Sequence, residues 1–224
     1  MAASDTRERL LDVAEQLFAE RGISGTSLRE LTGAADVNLA AVHYHFGSKE
    51  GLLDAVVERR ASPINRERVA ALDAFEARDT PPSVEELLWA MCAPGVRELR
   101  EGPESGQLLQ RLIARIDAQP PEVVESLYRK HFGEVGRRFI QALQAALPAL
   151  PKETVAERYR LCIGCLTWVF SGNFALDVIP GHPSGLVDDE SKMRHSIAFL
   201  SGGLRAPDPK MRALDPPTPE RCEA

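Results

Sequence analysis

A chain of 224 residues is long enough for one large or two small domains, and 44% hydrophobic with 27% charged residues is the composition of an ordinary water-soluble globular protein. Its net charge of −6 excludes binding to a polyanion by bulk charge, so any nucleic-acid contact needs a local basic face. The opening MAASDTRERL lacks the apolar core of a secretory signal, and the longest uncharged stretch, 161–176, is shorter than the ~20 residues a membrane span requires, which predicts a cytoplasmic protein that does not engage the membrane.

Asp5 with Glu8 offers a capping box, and Leu10, Leu11, Ala14, Leu17 and Phe18 recur at helical spacing until Gly22 stops the first helix. Ser27 with Glu30 starts a second, short helix with Leu28, Leu31 and Ala35 on its apolar face. Asp36-Val37 makes a turn, and Asn38 caps a third helix of about nine residues that Gly47 closes. Two short helices joined in this way form a helix-turn-helix, and ~13 Å of second helix suits the ~12 Å major groove of DNA. At ~100° per residue Leu39, Val42 and Phe46 face the preceding helix, Ala40, Ala41 and Tyr44 face away, and His43 and His45 lie on the flanks. Phe18, Leu31, Val37, Val42 and Phe46 are expected to share one small core.

Ser48 caps a fourth helix that runs to about Arg60, carries Leu52, Leu53, Val56 and Val57 inward and leads out of this domain. Residues 1–60 hold seven Lys or Arg against ten Asp or Glu, so Arg7, Arg29 and Lys49, aided by helix N-termini, are the candidates for the basic face. From Ala61 to Arg78 the pattern stays helical, with a break or kink expected near Pro63 and a loop at 79–82. Ser83 with Glu86 opens a helix carrying Val84, Leu87, Leu88 and Met91, whose continuity Pro94-Gly95 threatens. Further helices follow at Leu108 to Ile116, Glu122 to Leu147, Glu153 to Leu176 and Ser191 to Leu204, with a Pro/Gly-rich loop at Pro180 to Gly185. No strand-like alternation occurs. The predicted class is all-α: a helix-turn-helix domain at 1–50, a linking helix at 48–60, a larger helical domain at 51–205 and a disordered tail at 206–224.

The segment LCIGCLTWVFSGNFAL is apolar nearly all round its helix, which fits a buried centre or a subunit interface. Cys162 and Cys165 form a C-x-x-C, but inside a helix and without a second Cys/His pair they read as small core residues, and all four cysteines as free thiols. His43 and His45 point about 200° apart and cannot share a metal ion. Trp89, Leu112, Phe132 and Trp168 are the candidates to line a ligand cavity between helices, with Arg111, Arg115, Arg137 and Arg138 available to an anionic group at its mouth. No catalytic triad order, phosphate-binding glycine loop or metal-ligand spacing is present, so neither an enzyme nor a cofactor is predicted.

The run from Ala35 to Leu53, with its VNLAAVHYHFGSKEGLL, resembles the signature of the TetR family of bacterial transcriptional regulators, and the resemblance extends from about Thr6 to Arg60. It implies a homodimeric repressor on a palindromic DNA operator, released by a small apolar ligand. The positions it carries over as DNA-contacting are Thr26, Ser27, Arg29, Asn38, Ala40, Ala41, His43, Tyr44, His45 and Lys49. The two alanines depart from the polar residues usual there, which shifts base readout toward thymine methyl contacts. It also implies that the last two long helices pair with those of a second subunit, placing Cys162, Cys165, Phe170, Ile197, Phe199 and Leu200 at the interface. The segments PSVEELL, FALDVI and AFLSGGLRA are closest to the family's fatty-acid-responsive branch, which suggests an acyl compound as ligand. The alternative is a helical small-molecule-binding or enzymatic domain that keeps the helix-turn-helix only as scaffold.

Overall fold

A computed structural model of the chain describes residues 3–100, 103–170 and 188–208. Among them are nine α-helices and no strand: α1 Ala3–Arg21, α2 Leu28–Ala34, α3 Leu39–Phe46, α4 Lys49–Glu76, α5 Val84–Arg100, α6 Pro103–Asp117, α7 Pro121–Ala146, α8 Lys152–Phe170 and α9 Asp189–Arg205. The expected all-α class is therefore observed. The remainder of the helix expected to reach Leu176, the Pro180 to Gly185 loop and the tail beyond Asp208 lie outside the described residues.

The caps follow local chemistry. Ser27 Oγ accepts the Glu30 N–H at 3.2 Å, Asn38 Oδ1 the Ala41 N–H at 3.0 Å and Ser48 Oγ the Gly51 N–H at 3.1 Å, so each of three successive helices is opened by its own polar side chain. Gly22 ends α1 at φ 82° and Gly47 ends α3 at φ 75°, a backbone region that a Cβ disfavours. Ser83 and Glu86 complete a reciprocal box, the Ser83 N–H donating to Glu86 at 2.8 Å and the Glu86 N–H to Ser83 Oγ at 3.2 Å. By contrast Asp5 is not a cap, because α1 already begins at Ala3 and Asp5 sits in its first turn.

Two expectations about proline are corrected. α4 runs 28 residues straight through Pro63, and α5 runs 17 residues through Pro94. Pro63 has no N–H to offer the Arg59 carbonyl, which ordinarily breaks a helix. Here packing overrides it: α4 lies along both α5 and α7 and buries Ala61 and Leu72 on either side of the proline. A helix of this length spans about 42 Å. It serves the helix-turn-helix at one end and the larger bundle at the other.

The apolar residues gather into two cores. One comprises Phe139, Leu143, Val155, Cys162 and Leu200 with the inner faces of α5 and α9. The other joins Leu10, Phe18, Leu31 and Val42 of α1 to α3 with Leu52 and Val56 of α4, and it is completed by Leu112 and Ile116 of α6 and Leu127 of α7. The chain can be divided near residue 50, but this core cannot.

Ion pairs tie the same elements. The Glu15 carboxylate on α1 is 2% exposed and accepts from Arg59 Nη2 at 2.5 Å and Arg60 Nε at 2.6 Å, while Arg60 Nη1 reaches Glu98 of α5 at 2.8 Å. Across the bundle Arg205 grips Glu85 with two hydrogen bonds that hold its carboxyl down at about 2. Glu15→Ala should remove the buried carboxylate shared by two partly buried guanidinium groups, so a loss of about 1–3 kcal/mol in urea unfolding is expected, reduced from the fully buried case because Arg59 keeps Asp12 and Arg60 keeps Glu98. A change under 0.5 kcal/mol, roughly the surface-substitution range, would show the cluster to be ornamental.

Candidate functional site

α2 and α3 meet through a turn in which Asp36 adopts φ 51° and the Val37 N–H bonds the Thr32 carbonyl at 3.0 Å. Val42 is fully buried on α3, with Phe46 partly buried beside it and the Arg7 guanidinium 5.6 Å from the Phe46 ring centroid. The outer face of α3 is open: Ala40, His43 and Tyr44 are exposed, Tyr44 at 82%, and Ala41 and His45 are half-buried. Ser27, Arg29 and Asn38 are exposed and Lys49 is half-buried at the start of α4.

Two placements differ from expectation. Thr26 is 1% exposed and its hydroxyl donates to the Gly22 carbonyl at 2.8 Å, so its side chain braces the loop after α1. Leu39 is exposed rather than packed, because α3 begins there and the chain has not yet turned it against α2. His43 Nδ1 lies 2.9 Å from the Gly47 carbonyl, which orients its ring toward the helix end, while His45 stacks edge-on to Tyr44. Acids answer Arg7, Arg21, Arg59 and Arg60 within the head itself, and Arg9 has its Nε and Nη2 buried, which leaves Arg29 and Lys49 as the remaining cations.

The second feature is a cavity of about 1060 Å³ walled by α4 to α8. Leu112 and Phe132, two of the expected lining residues, are on its wall. Trp89 is not: it is 41% exposed on the outward face of α5, because Leu88 and Met91 occupy the inward positions. The side chain of Trp168 lies outside the described residues. Of the arginines proposed for the mouth only Arg137 lines the cavity, since Arg138 is drawn to Asp73 and Glu76 and Arg115 donates to the Glu20 carbonyl. Sequence reasoning missed Arg68, which stands in the α4 stripe Ala61, Ile64, Arg68 and Leu72 as its one charged member. A lone cation in an apolar helical stripe was the available signal.

The third is the outer face of α8 and α9. Leu161 is 60% and Phe199 76% exposed, with the open positions of Gly164, Gly202 and Gly203 around them. Cys162, Ile197 and Leu200, expected at an intersubunit contact, are instead buried in the protomer's own core, one helical step away from that face. Cys165 is half-buried, and the Phe170 side chain is outside the described residues. Burial pushes the Cys162 thiol up to about 11 and that of Cys92 to about 12, so both behave as small apolar side chains.

His131 of α7, also missed, joins the bundle to α4. Its side chain is 1% exposed, with Nδ1 2.7 Å from Glu58 and Nε2 2.9 Å from Asp54. An imidazolium donates to both carboxylates at once, whereas a neutral ring has a single N–H. Burial works against ionisation of Asp54, but hydrogen bonds from Lys130 and His131 outweigh it and hold the carboxyl below its usual range; Glu58 is lowered first by Ser62 and then by His131, against its own partial burial. Depressed carboxylates stabilise the fold above their ordinary values, 3.8 and 4.5, and that contribution is lost as pH falls through the lower folded values. His131→Gln should therefore cost about 1–3 kcal/mol at pH 5.5, mostly through Asp54 since Glu58 is largely exposed, and the gap to wild type should narrow as pH drops toward 3. Chemical denaturation at the two pH values checks this, and a gap independent of pH would contradict it.

Residues 10–56 match the family model described as bacterial regulatory proteins of the tetR family, and residues 89–203 match the tetracyclin repressor-like C-terminal domain. Among curated relatives, the HTH-type transcriptional regulator AcrR of Shigella flexneri is 42% identical over 62 residues, 28% of this chain and 29% of that protein. The matches to the first four such relatives span from 25% to 47% of their lengths. Among solved structures, the fatty acid degradation regulator FadR from Bacillus halodurans shares 16% identity with a TM-score of 0.62, over 89% of this chain and 96% of that one. The multidrug binding protein EbrR, complexed with malachite green, shares 20% identity with a TM-score of 0.58, over 87% and 95%. At these identities the structures share the fold, and it is the two model matches, one of them over half the chain, that identify the protein as a member of the TetR family of bacterial regulatory proteins.

Proposed function

We propose that this protein is a dimeric, sequence-specific DNA-binding transcriptional repressor whose hold on its operator is loosened by a small, largely apolar molecule in the α4 to α8 cavity. The observation that carries this reading is that Val57, Leu112, Ile116 and Leu127 line the cavity and are at the same time part of the helix-turn-helix core. A ligand cannot fill that space without touching side chains that set the attitude of the reading head.

Ala40, Ala41 and His43 face base edges, and Tyr44, Arg29 and Lys49 take phosphates, in keeping with their exposure around α3. Leu161 and Phe199 form the centre of the contact with a second copy. Two-fold symmetry then requires a palindromic operator with half-sites about 34 Å apart or a multiple of it. The ligand must bind the spacing that DNA rejects more tightly than the one it accepts, and a coupling of ~2 kcal/mol lowers operator affinity about thirtyfold. Acyl compounds are the first candidates, given the resemblance to the fatty acid degradation regulator's fold and an apolar cavity of drug-sized volume.

Selection of bound sequences from a random DNA pool tests the central claim: an enriched palindrome is expected, and no enrichment would leave only a helical binding domain. On the selected site Lys49→Ala should lower the slope of log affinity against log salt by about one unit with no change in base preference. A shifted preference at constant slope would reassign Lys49 to base readout. Leu161→Glu combined with Phe199→Glu should give a folded monomer in sedimentation and abolish operator binding, and persistence of the dimer would move the interface elsewhere.

A further inference from the structure

The cavity is charged in one sense only. Five arginines and one lysine line it, and no aspartate or glutamate does, in a chain that has more acids than bases. Four of the arginines are answered by carboxylates outside the cavity: Arg60 by Glu15 and Glu98, Arg129 by Glu125, Arg137 by Glu134 and Arg160 by Glu157. Arg68 is different. Its Nε donates to the Met91 carbonyl at 2.9 Å and its Nη1 makes a long contact with Asn65 Oδ1 at 3.4 Å, both neutral acceptors, and among the described residues no carboxylate pairs with it.

The free side of this guanidinium faces the ligand space. Nη2 stands 3.9 Å from where a Cβ on Gly95 would be, and Gly95 is itself on the wall, so no side chain there screens Arg68. Burial without a counter-charge pushes the Arg68 pKa down from its ordinary value. Tyr159 of α8 lines the same space as Arg68, and the absence of a side chain at Gly136 makes room for it, since a Cβ there would sit 3.3 Å from the phenol oxygen. Burial raises the Tyr159 pKa, so it offers an O–H and not a phenolate. A fork of N–H donors and a hydroxyl around one apolar space match the two oxygens of a carboxylate.

We infer that the cavity takes a free organic carboxylate on an apolar body, its carboxylate seated on Arg68 with Tyr159 alongside and its body against Leu112, Phe132 and Ile163. This rests on the ligand-responsive reading above and specifies the ligand's polar end. An ester or thioester brings one neutral carbonyl and leaves the guanidinium uncompensated, and a cationic compound meets the uncompensated Arg68 with no acid on the wall to receive it.

The test is calorimetric titration of the full chain with decanoate, phenylbutyrate, methyl decanoate and decyltrimethylammonium. A carboxylate should bind at least about tenfold more tightly than methyl decanoate, and the cation should bind weakest. Arg68→Met should lose about tenfold or more toward the carboxylate while methyl decanoate stays within about twofold, with Arg68→Lys intermediate. Should Arg68→Met fail to fold, the wild-type comparison of acid with ester still decides. Ester or cation binding as tightly as acid, or no binding of either carboxylate, overturns the inference. Arg68-dependent carboxylate binding that leaves operator affinity unchanged would keep the seat and discard the release mechanism, so the two failures are distinct.

Discussion

The placement of Leu112 and Ile116 of α6 among the side chains of α1 is the constraint on which the rest of the molecule depends. Each is nearly fully buried, and burying such a side chain contributes about 1.5–3 kcal/mol. Three short helices on their own would enclose too little apolar surface to hold α3 at a fixed angle. With α6 and α7 contributing, the head becomes part of one continuous body, and the residues that complete it are also the floor of the cavity. Regulation by a small molecule then needs no separate transmission device. The long helix α4 is one connection between the two regions, and the α1 to α6 contact is a second that runs beside it.

Charge is sorted by location in a way that the net value hides. Of the acids on α1 only Glu15 is buried, where it holds Arg59 and Arg60, while Arg29 stands exposed and Lys49 half-exposed on a domain that is acidic by count. In the bundle the cavity wall carries basic residues and no acid, with Arg129, Arg137 and Arg160 paired to glutamates at the solvent side and Arg68 held by neutral acceptors. The acidic net charge thus coexists with a cavity wall free of acids.

Much of this was legible in the residue order, and the reasons for the rest are physical. Capping residues act over three or four positions, so Ser27, Asn38, Ser48 and Ser83 announced their helices correctly. Periodicity separated Val42 from Tyr44 on α3. What local rules could not supply was tertiary override: Pro63 and Pro94 read as breaks, yet neighbouring helices hold both within continuous helices. The α8 and α9 residues illustrate a second limit. Ile197, Phe199 and Leu200 are alike in hydrophobicity, and only the packing of α9 on α5 and α8 decides that Phe199 is the one turned outward. Arg68 and His131 escaped for a third reason, since their meaning comes from what stands opposite them, Tyr159 in one case and Asp54 with Glu58 in the other, more than 70 residues from their partners in sequence.

Pro63 has a mechanical consequence. The Arg59 carbonyl has no proline N–H to receive, so one rung of the α4 hydrogen-bond ladder is absent where the helix passes from the reading head to the bundle. On the head side of that gap Arg59 and Arg60 are clamped to Glu15, and the cavity wall runs across it, with Val57, Arg60 and Ala61 on one side and Ile64 and Arg68 on the other. The rung that α4 lacks therefore falls within the stretch that lines the cavity. Bending at such a joint turns a displacement of an ångström in the cavity wall into an angle, and an angle grows into distance along the arm that the head represents.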